Sequence, residues 1–113
     1  MKQKNFKRGF LYRVRNKNSG RIYIGQQSLH YSKGLEPSDI MGKLYWTSNK
    51  TLANEWKERP EEFEWEVIKA NITDKRELDW LEGALILDMW RLKVPCYNKL
   101  VNICIAKRKE DEP

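Results

Sequence analysis

Gly9-Phe10-Leu11-Tyr12-Arg13-Val14-Arg15, Asn16-Lys17-Asn18-Ser19-Gly20 and Arg21-Ile22-Tyr23-Ile24-Gly25 follow one another, and the reading of this stretch decides the fold. Two runs rich in β-branched and aromatic residues flank a run of turn formers, which is the pattern of a β-hairpin. Side chains alternate along a strand, so Phe10, Tyr12 and Val14 share one face and Leu11, Arg13 and Arg15 the other. In the second arm Arg21 and Tyr23 share a face, with Ile22 and Ile24 opposite. The five-residue connection leaves the register open, and with it the question of whether both tyrosines point the same way. A hairpin can bring Tyr12 and Tyr23 side by side across eleven positions of sequence. Each arm also carries a glycine at its outer edge, Gly9 and Gly25.

Outward from the hairpin, residues 26–46 lack periodicity and are punctuated by Gly34, Pro37 and Gly42, which reads as a long loop. Thr47-Ser48 offers cap hydroxyls for a helix through Leu52, Ala53 and Trp56 that must stop by Pro60. Phe63-Glu64-Trp65-Glu66-Val67-Ile68-Lys69 alternates apolar and charged residues, a third strand with one wet face. Asp74-Lys75-Arg76-Glu77 has the form of a capping box. Leu78, Leu81, Leu85, Ile86, Met89 and Leu92 then recur at helical spacing up to Pro95. Val101, Ile103 and Ile105 read as a short final strand or extended segment. The expected fold is α+β, a small three-stranded antiparallel sheet flanked by helices. Residues 1–8 form a basic lead-in, 9–106 a single domain and 107–113 a charged tail.

With 113 residues, 40% hydrophobic content and five tryptophans, the chain can bury a real core without staples. Nothing near Met1 resembles a signal peptide, and no apolar run approaches the roughly 20 residues of a membrane span, so the expected compartment is cytoplasmic. Cys96 and Cys104 lack any CxxC or histidine partner pattern and read as two buried thiols. Twenty-two Lys and Arg against sixteen Asp and Glu give a formal charge of +6, which favours a polyanionic partner such as nucleic acid. The positives crowd into residues 2–21 and recur at Lys33, Lys43, Lys50, Lys57 and Arg59. The acids concentrate in 55–82 and in the tail.

Glu82 interrupts the apolar stripe of the last helix, four residues after Leu78 and four before Ile86. An unpaired carboxylate there would be costly to bury, so it should meet a gap in the core, a cation or a metal. The plainer reading is a side chain at the margin of the stripe that reaches solvent. His30, the one histidine, reads most simply as a surface loop residue.

Phe10-Leu11-Tyr12, the step to Tyr23 and the intact Tyr23-Ile24-Gly25 together resemble the GIY-YIG endonuclease family. The first triplet departs from that family's Gly-Ile-Tyr. Glu82 in the last long helix, Asn98 sixteen residues on and the β-β-α-β-α order agree with the resemblance, which covers about residues 9–100. It implies hydrolysis of a DNA phosphodiester with one Mg2+ or Mn2+ ion. Tyr12 is then the general base, Tyr23 positions water or phosphate, Glu82 is the sole protein ligand of the metal, and Asn98 braces the metal site or the backbone. A tyrosine works as a base only if cations lower its pKa from about 10. Many family members carry an arginine about ten residues past Tyr-Ile-Gly, where this chain has Lys33. Lys50, near Ser48 at a helix start, is the first substitute for that charge. His30 is the second.

Arg13, Arg15, Arg21, Lys33, Lys43 and Trp46 are the candidate DNA contacts, and dimerisation is one possible source of specificity. A competing reading is a non-catalytic nucleic-acid-binding module with Tyr45 and Trp46 for stacking. A third is a domain whose aromatics are simply core. Glu82 separates these, because a binding module gains nothing from a carboxylate beside phosphates.

Overall fold

The computed structural model describes residues 7–30 and 36–98. Strand β1 (Lys7–Asn16) turns into β2 (Ile22–His30). A short helix α1 (Pro37–Ile40) and helix α2 (Lys50–Glu58) follow, then a 3₁₀ turn (Pro60–Glu62), strand β3 (Phe63–Ile72) and helix α3 (Lys75–Arg91). The sheet is antiparallel with order β2-β1-β3, so β1 lies at its centre. This is a small α+β domain.

Asn16 organises the hairpin turn. Its Oδ1 accepts from the backbone N–H groups of Asn18 (2.8 Å) and Ser19 (3.2 Å). Gly20 closes the turn at φ 77°, the left-handed region open to glycine. The resulting register pairs Tyr12 with Gly25 and Val14 with Tyr23. Residues paired in this way share a face, so the register left open by the sequence places both tyrosines on the same side as diagonal neighbours.

The sheet buries a core on each face. Phe10, Tyr12, Val14 and Tyr23 pack with Ile40, Met41, Leu52, Trp56, Phe63 and Tyr97 on the α2 side. Leu11 and Ile24 pack with Ile72, Leu78, Ile86 and Met89 on the α3 side. The alternation read from the first arm is therefore the division between the two cores. Truncating a buried aromatic such as Trp56 to Ala would cost about 3–5 kcal/mol, which makes the α2-side layer essential to the sheet.

Several expectations are corrected. Residues 26–46 are not one loop, because β2 continues through Gln26, Gln27 and Ser28 to His30, paired with Lys7 to Leu11. Main-chain bonds hold this half of the strand, which has no apolar face to announce it. Residues 37–45 are also folded: the Ile40 carbonyl accepts from the N–H groups of Lys43, Leu44 and Tyr45. The N-cap of α2 is Asn49, whose side chain accepts from the Leu52 N–H, rather than Thr47-Ser48. Asp74 does cap α3, but Glu77 turns to Lys69 (3.3 Å) instead of closing a capping box. Leu92 is 76% exposed because the helix ends at Arg91 and the chain reverses at Lys93, φ 60°. The lead-in is not loose throughout: Lys7 and Arg8 belong to β1, and Arg8 donates to Asn71 (2.6 Å). Cys96 is a half-buried free thiol. Residues 1–6, Lys33, the expected final strand, Cys104 and the charged tail lie outside the described residues. Among the described residues no helix is long and apolar enough to cross a membrane.

Candidate functional site

β1 and β2 place Tyr12 and Tyr23 beneath the segment that leads into α2. The two rings lie 6.2 Å apart, tilted by 41°. Tyr45 meets Tyr12 edge-on, and their hydroxyls are hydrogen-bonded at 2.9 Å. Tyr23 reaches the Ser48 hydroxyl at 3.1 Å. Gly25 lies directly across from Tyr12, and a Cβ there would fall 2.5 Å from Tyr12 Cζ and 2.7 Å from Tyr23 Cε2. The second glycine of the hairpin is thus a cradle for two phenol rings.

Glu82 approaches from the other layer. It lies on α3 within the stripe that packs on β2, half-buried, and its Oε1 accepts from Gln26 Nε2 at 2.7 Å. Its charge is near enough to act on the three phenols, whose pKa values it raises. Burial is the main cause of the upward shift at Tyr12, which has no solvent exposure, followed by the charges that Tyr45 and Tyr23 would carry if ionised. The same cause dominates at Tyr23 and Tyr45, partly offset by hydrogen bonds to Ser48 and Tyr12 respectively. The Tyr12–Tyr45 bond couples the two hydroxyls, either of which can donate. At neutral pH, therefore, all three phenols hold their protons.

Asn98 braces the backbone. Its Oδ1 accepts from the Ile24 N–H (2.8 Å) and its Nδ2 donates to the Ile24 carbonyl (2.9 Å), as a neighbouring strand would. Pro95 and Tyr97 extend that pairing to Ile22. The Tyr-Ile-Gly segment is gripped from its outer edge by residues more than seventy positions away.

The remaining candidates divide. Lys50 is the exposed first residue of α2, two positions past Ser48, and so stands beside the cluster. Lys43 is exposed in the turn before Tyr45. Trp46 is half-buried with the Lys57 ammonium 4.8 Å above its ring, so one face of this stacking candidate is covered. Arg21 stacks on Tyr97 at 4.0 Å. Arg13 and Arg15 face the α3 side, away from the tyrosines, paired with Glu66 and Glu64. These surface pairs contribute about 0–1 kcal/mol each, so their chief effect is to neutralise that face. The His30 backbone closes β2 five residues beyond Gly25, roughly 16 Å along the strand. The structure brings Tyr12 and Tyr23 together, with Lys50 two residues past their Ser48 neighbour and with Glu82, on the α3 side of β2, near enough for its charge to act on them; Arg13 and Arg15 are taken up by Glu66 and Glu64.

Tyr45 and Ser48 are the residues that sequence reasoning missed as members of the site. In the binding-module reading Tyr45 is an exposed stacking residue, whereas it is half-buried against Tyr12. Its partner lies 33 positions away and its own segment has no periodicity, so no local signal identifies it.

No protein-family model, curated protein or solved structure matches the chain. The chemistry therefore has to be argued from the donor set. Among the described residues no three His, Cys, Asp or Glu side chains converge. A divalent cation at Glu82 would take its other ligands from water and phosphate oxygens, a coordination that Mg2+ accepts from one or two carboxylates. Phenols, a serine hydroxyl and a carboxylate form an all-oxygen set, which fits Mg2+ or Mn2+ better than a softer metal.

Proposed function

We propose that this protein is a metal-dependent DNA endonuclease of the GIY-YIG type, hydrolysing phosphodiester bonds at the Tyr12–Tyr23–Glu82 cluster. The observation that carries the reading is convergence. Two phenols fixed by a hairpin lie 6.2 Å apart over a glycine that leaves them room, and a carboxylate from a helix some sixty residues later is near enough for its charge to act on both. Lys43 and Lys50, both exposed and two positions from Tyr45 and Ser48 respectively, suit a phosphate backbone, in keeping with the net charge of +6.

A divalent cation held by Glu82 would stabilise charge on the phosphate and on the leaving oxygen. The chain's own residues then do the following. Tyr23, tied to Ser48, positions the phosphate or the attacking water. Tyr12, in the ionised form that grows as pH rises, takes the proton from that water while its oxygen stays hydrogen-bonded to the Tyr45 hydroxyl. Lys50 supplies positive charge at the phosphate, and Asn98 keeps the Tyr-Ile-Gly backbone in place.

One observation favours a second reading, a non-catalytic DNA-binding module: Tyr12 has no exposed surface. Tyr12→Phe separates the two. General-base removal should lower the cleavage rate by roughly 10²–10⁴-fold while DNA affinity, measured by fluorescence anisotropy, stays within a few-fold of wild type. Binding by the wild-type protein without cleavage in Mg2+ or Mn2+ would leave the binding module as the answer.

A further inference from the structure

Four side chains on the α3 side of β2 form a continuous hydrogen-bonded chain. Lys75 Nζ lies 2.8 Å from Gln26 Oε1 and 2.7 Å from Asp79 Oδ1. Gln26 Nε2 lies 2.8 Å from Asp79 Oδ1 and 2.7 Å from Glu82 Oε1. Lys75, Asp79 and Glu82 follow one another at i, i+4 and i+7 along α3, so they share the helix face that overlooks β2. The donor inventory fixes the amide. An ammonium can only donate, so the Gln26 oxygen must face Lys75, and its two N–H bonds are left for the two carboxylates.

We infer that Gln26 is the positioning residue for Glu82: its amide, oriented by Lys75, holds the Glu82 carboxylate in the direction that the metal site requires. The inference rests on the proposed function, in which Glu82 is the one protein ligand of the cation. A site with a single protein ligand depends on where that carboxylate points. A hydrogen bond to an ionised acceptor is among the stronger ones and offsets the rotamer freedom that a glutamate side chain loses when it is ordered. The type of donor matters as much as its strength. An amide holds the carboxylate without cancelling its charge, which the cation needs; an ammonium in the same place would compete with the metal. Lys75 keeps its charge one residue further off, where it orients the amide and pairs with Asp79.

The test is Mn2+ affinity of the purified protein by electron paramagnetic resonance, with no DNA present, for wild type, Glu82→Ala and Gln26→Met. Gln26→Met keeps the volume and removes the donor. It should weaken Mn2+ binding by roughly 10–100-fold, as loss of an outer-shell partner does, with a melting temperature near that of wild type. Gln26→Asn, one methylene short of bridging both carboxylates, should also weaken it and serves if the methionine variant does not fold. A purely structural role would lower the melting temperature and leave the affinity of the folded protein unchanged. Loss of Mn2+ in Glu82→Ala with wild-type affinity in both Gln26 variants overturns this inference alone. Unchanged affinity in Glu82→Ala overturns the nuclease reading, and the positioning role with it.

Discussion

Gly25 has no room for a side chain because two phenol rings occupy the space a Cβ would need. Gly25→Ala should therefore cost about 1–3 kcal/mol, measurable as a lower urea midpoint, and should reduce cleavage by displacing Tyr12. Gly9→Ala is the control: its Cβ would come closest to the far end of the Leu78 side chain on the opposite layer, away from the tyrosines, so it should spare activity more than Gly25→Ala does. At the same scale, Tyr45→Phe removes the hydroxyl that is hydrogen-bonded to Tyr12. Every phenol of the cluster is shifted upward, so wild-type cleavage should keep rising with pH through 9 rather than reach a plateau. Tyr45→Phe should lower the rate across that range, and an unaltered pH–rate profile would remove Tyr45 from the mechanism. The glycines and the tyrosine spacing were legible as an excess over what a hairpin needs. Tyr45 was not, because its significance lies in a contact across 33 positions.

The hairpin is the element that sets the geometry, and Asn16 is its pivot. A buried amide that accepts two backbone N–H bonds and also approaches the Tyr97 hydroxyl (3.4 Å) cannot be removed cheaply. Asn16→Ala should cost about 1–3 kcal/mol in urea unfolding; a change below about 0.5 kcal/mol would mean that the turn does not depend on this residue. Face assignment within β1 could be read from alternation alone, since Phe10, Tyr12 and Val14 differ so plainly from Arg13 and Arg15. Register could not, because it depends on how the five-residue turn closes. The far half of β2 escaped detection for another reason: Gln26, Gln27 and Ser28 are polar, and their pairing with β1 is a main-chain property. The start of α2 was displaced because Thr47, Ser48 and Asn49 can all cap. Tertiary contacts decide among them, with Ser48 engaged by Tyr23 and Asn49 left to bond Leu52.

For the molecule as a whole, the buried phenols make stability depend on alkaline pH. Tyr12 ionises above its ordinary value of 10.0 when folded, so the folded state retains a proton that the unfolded state releases. That contribution is fully present below pH 10 and is lost as pH rises beyond it, by up to about 1.4 kcal/mol per pH unit for one such group. Tyr12→Phe should flatten the fall in the urea midpoint between pH 10 and 11, and an equally steep fall would show that Tyr12 does not titrate as buried. At this scale Glu82 was the most legible site residue, a charge inside an apolar stripe. What it would meet depended on β1, β2 and α3 packing together, which no single segment encodes. The central claim, that Glu82 and the tyrosines form one hydrolytic centre, is tested most directly by cleavage of supercoiled plasmid in Mg2+ with wild type and Glu82→Ala. The account predicts nicked and linear DNA from wild type and a loss of at least ~100-fold in the variant. Undiminished cutting by Glu82→Ala would contradict it.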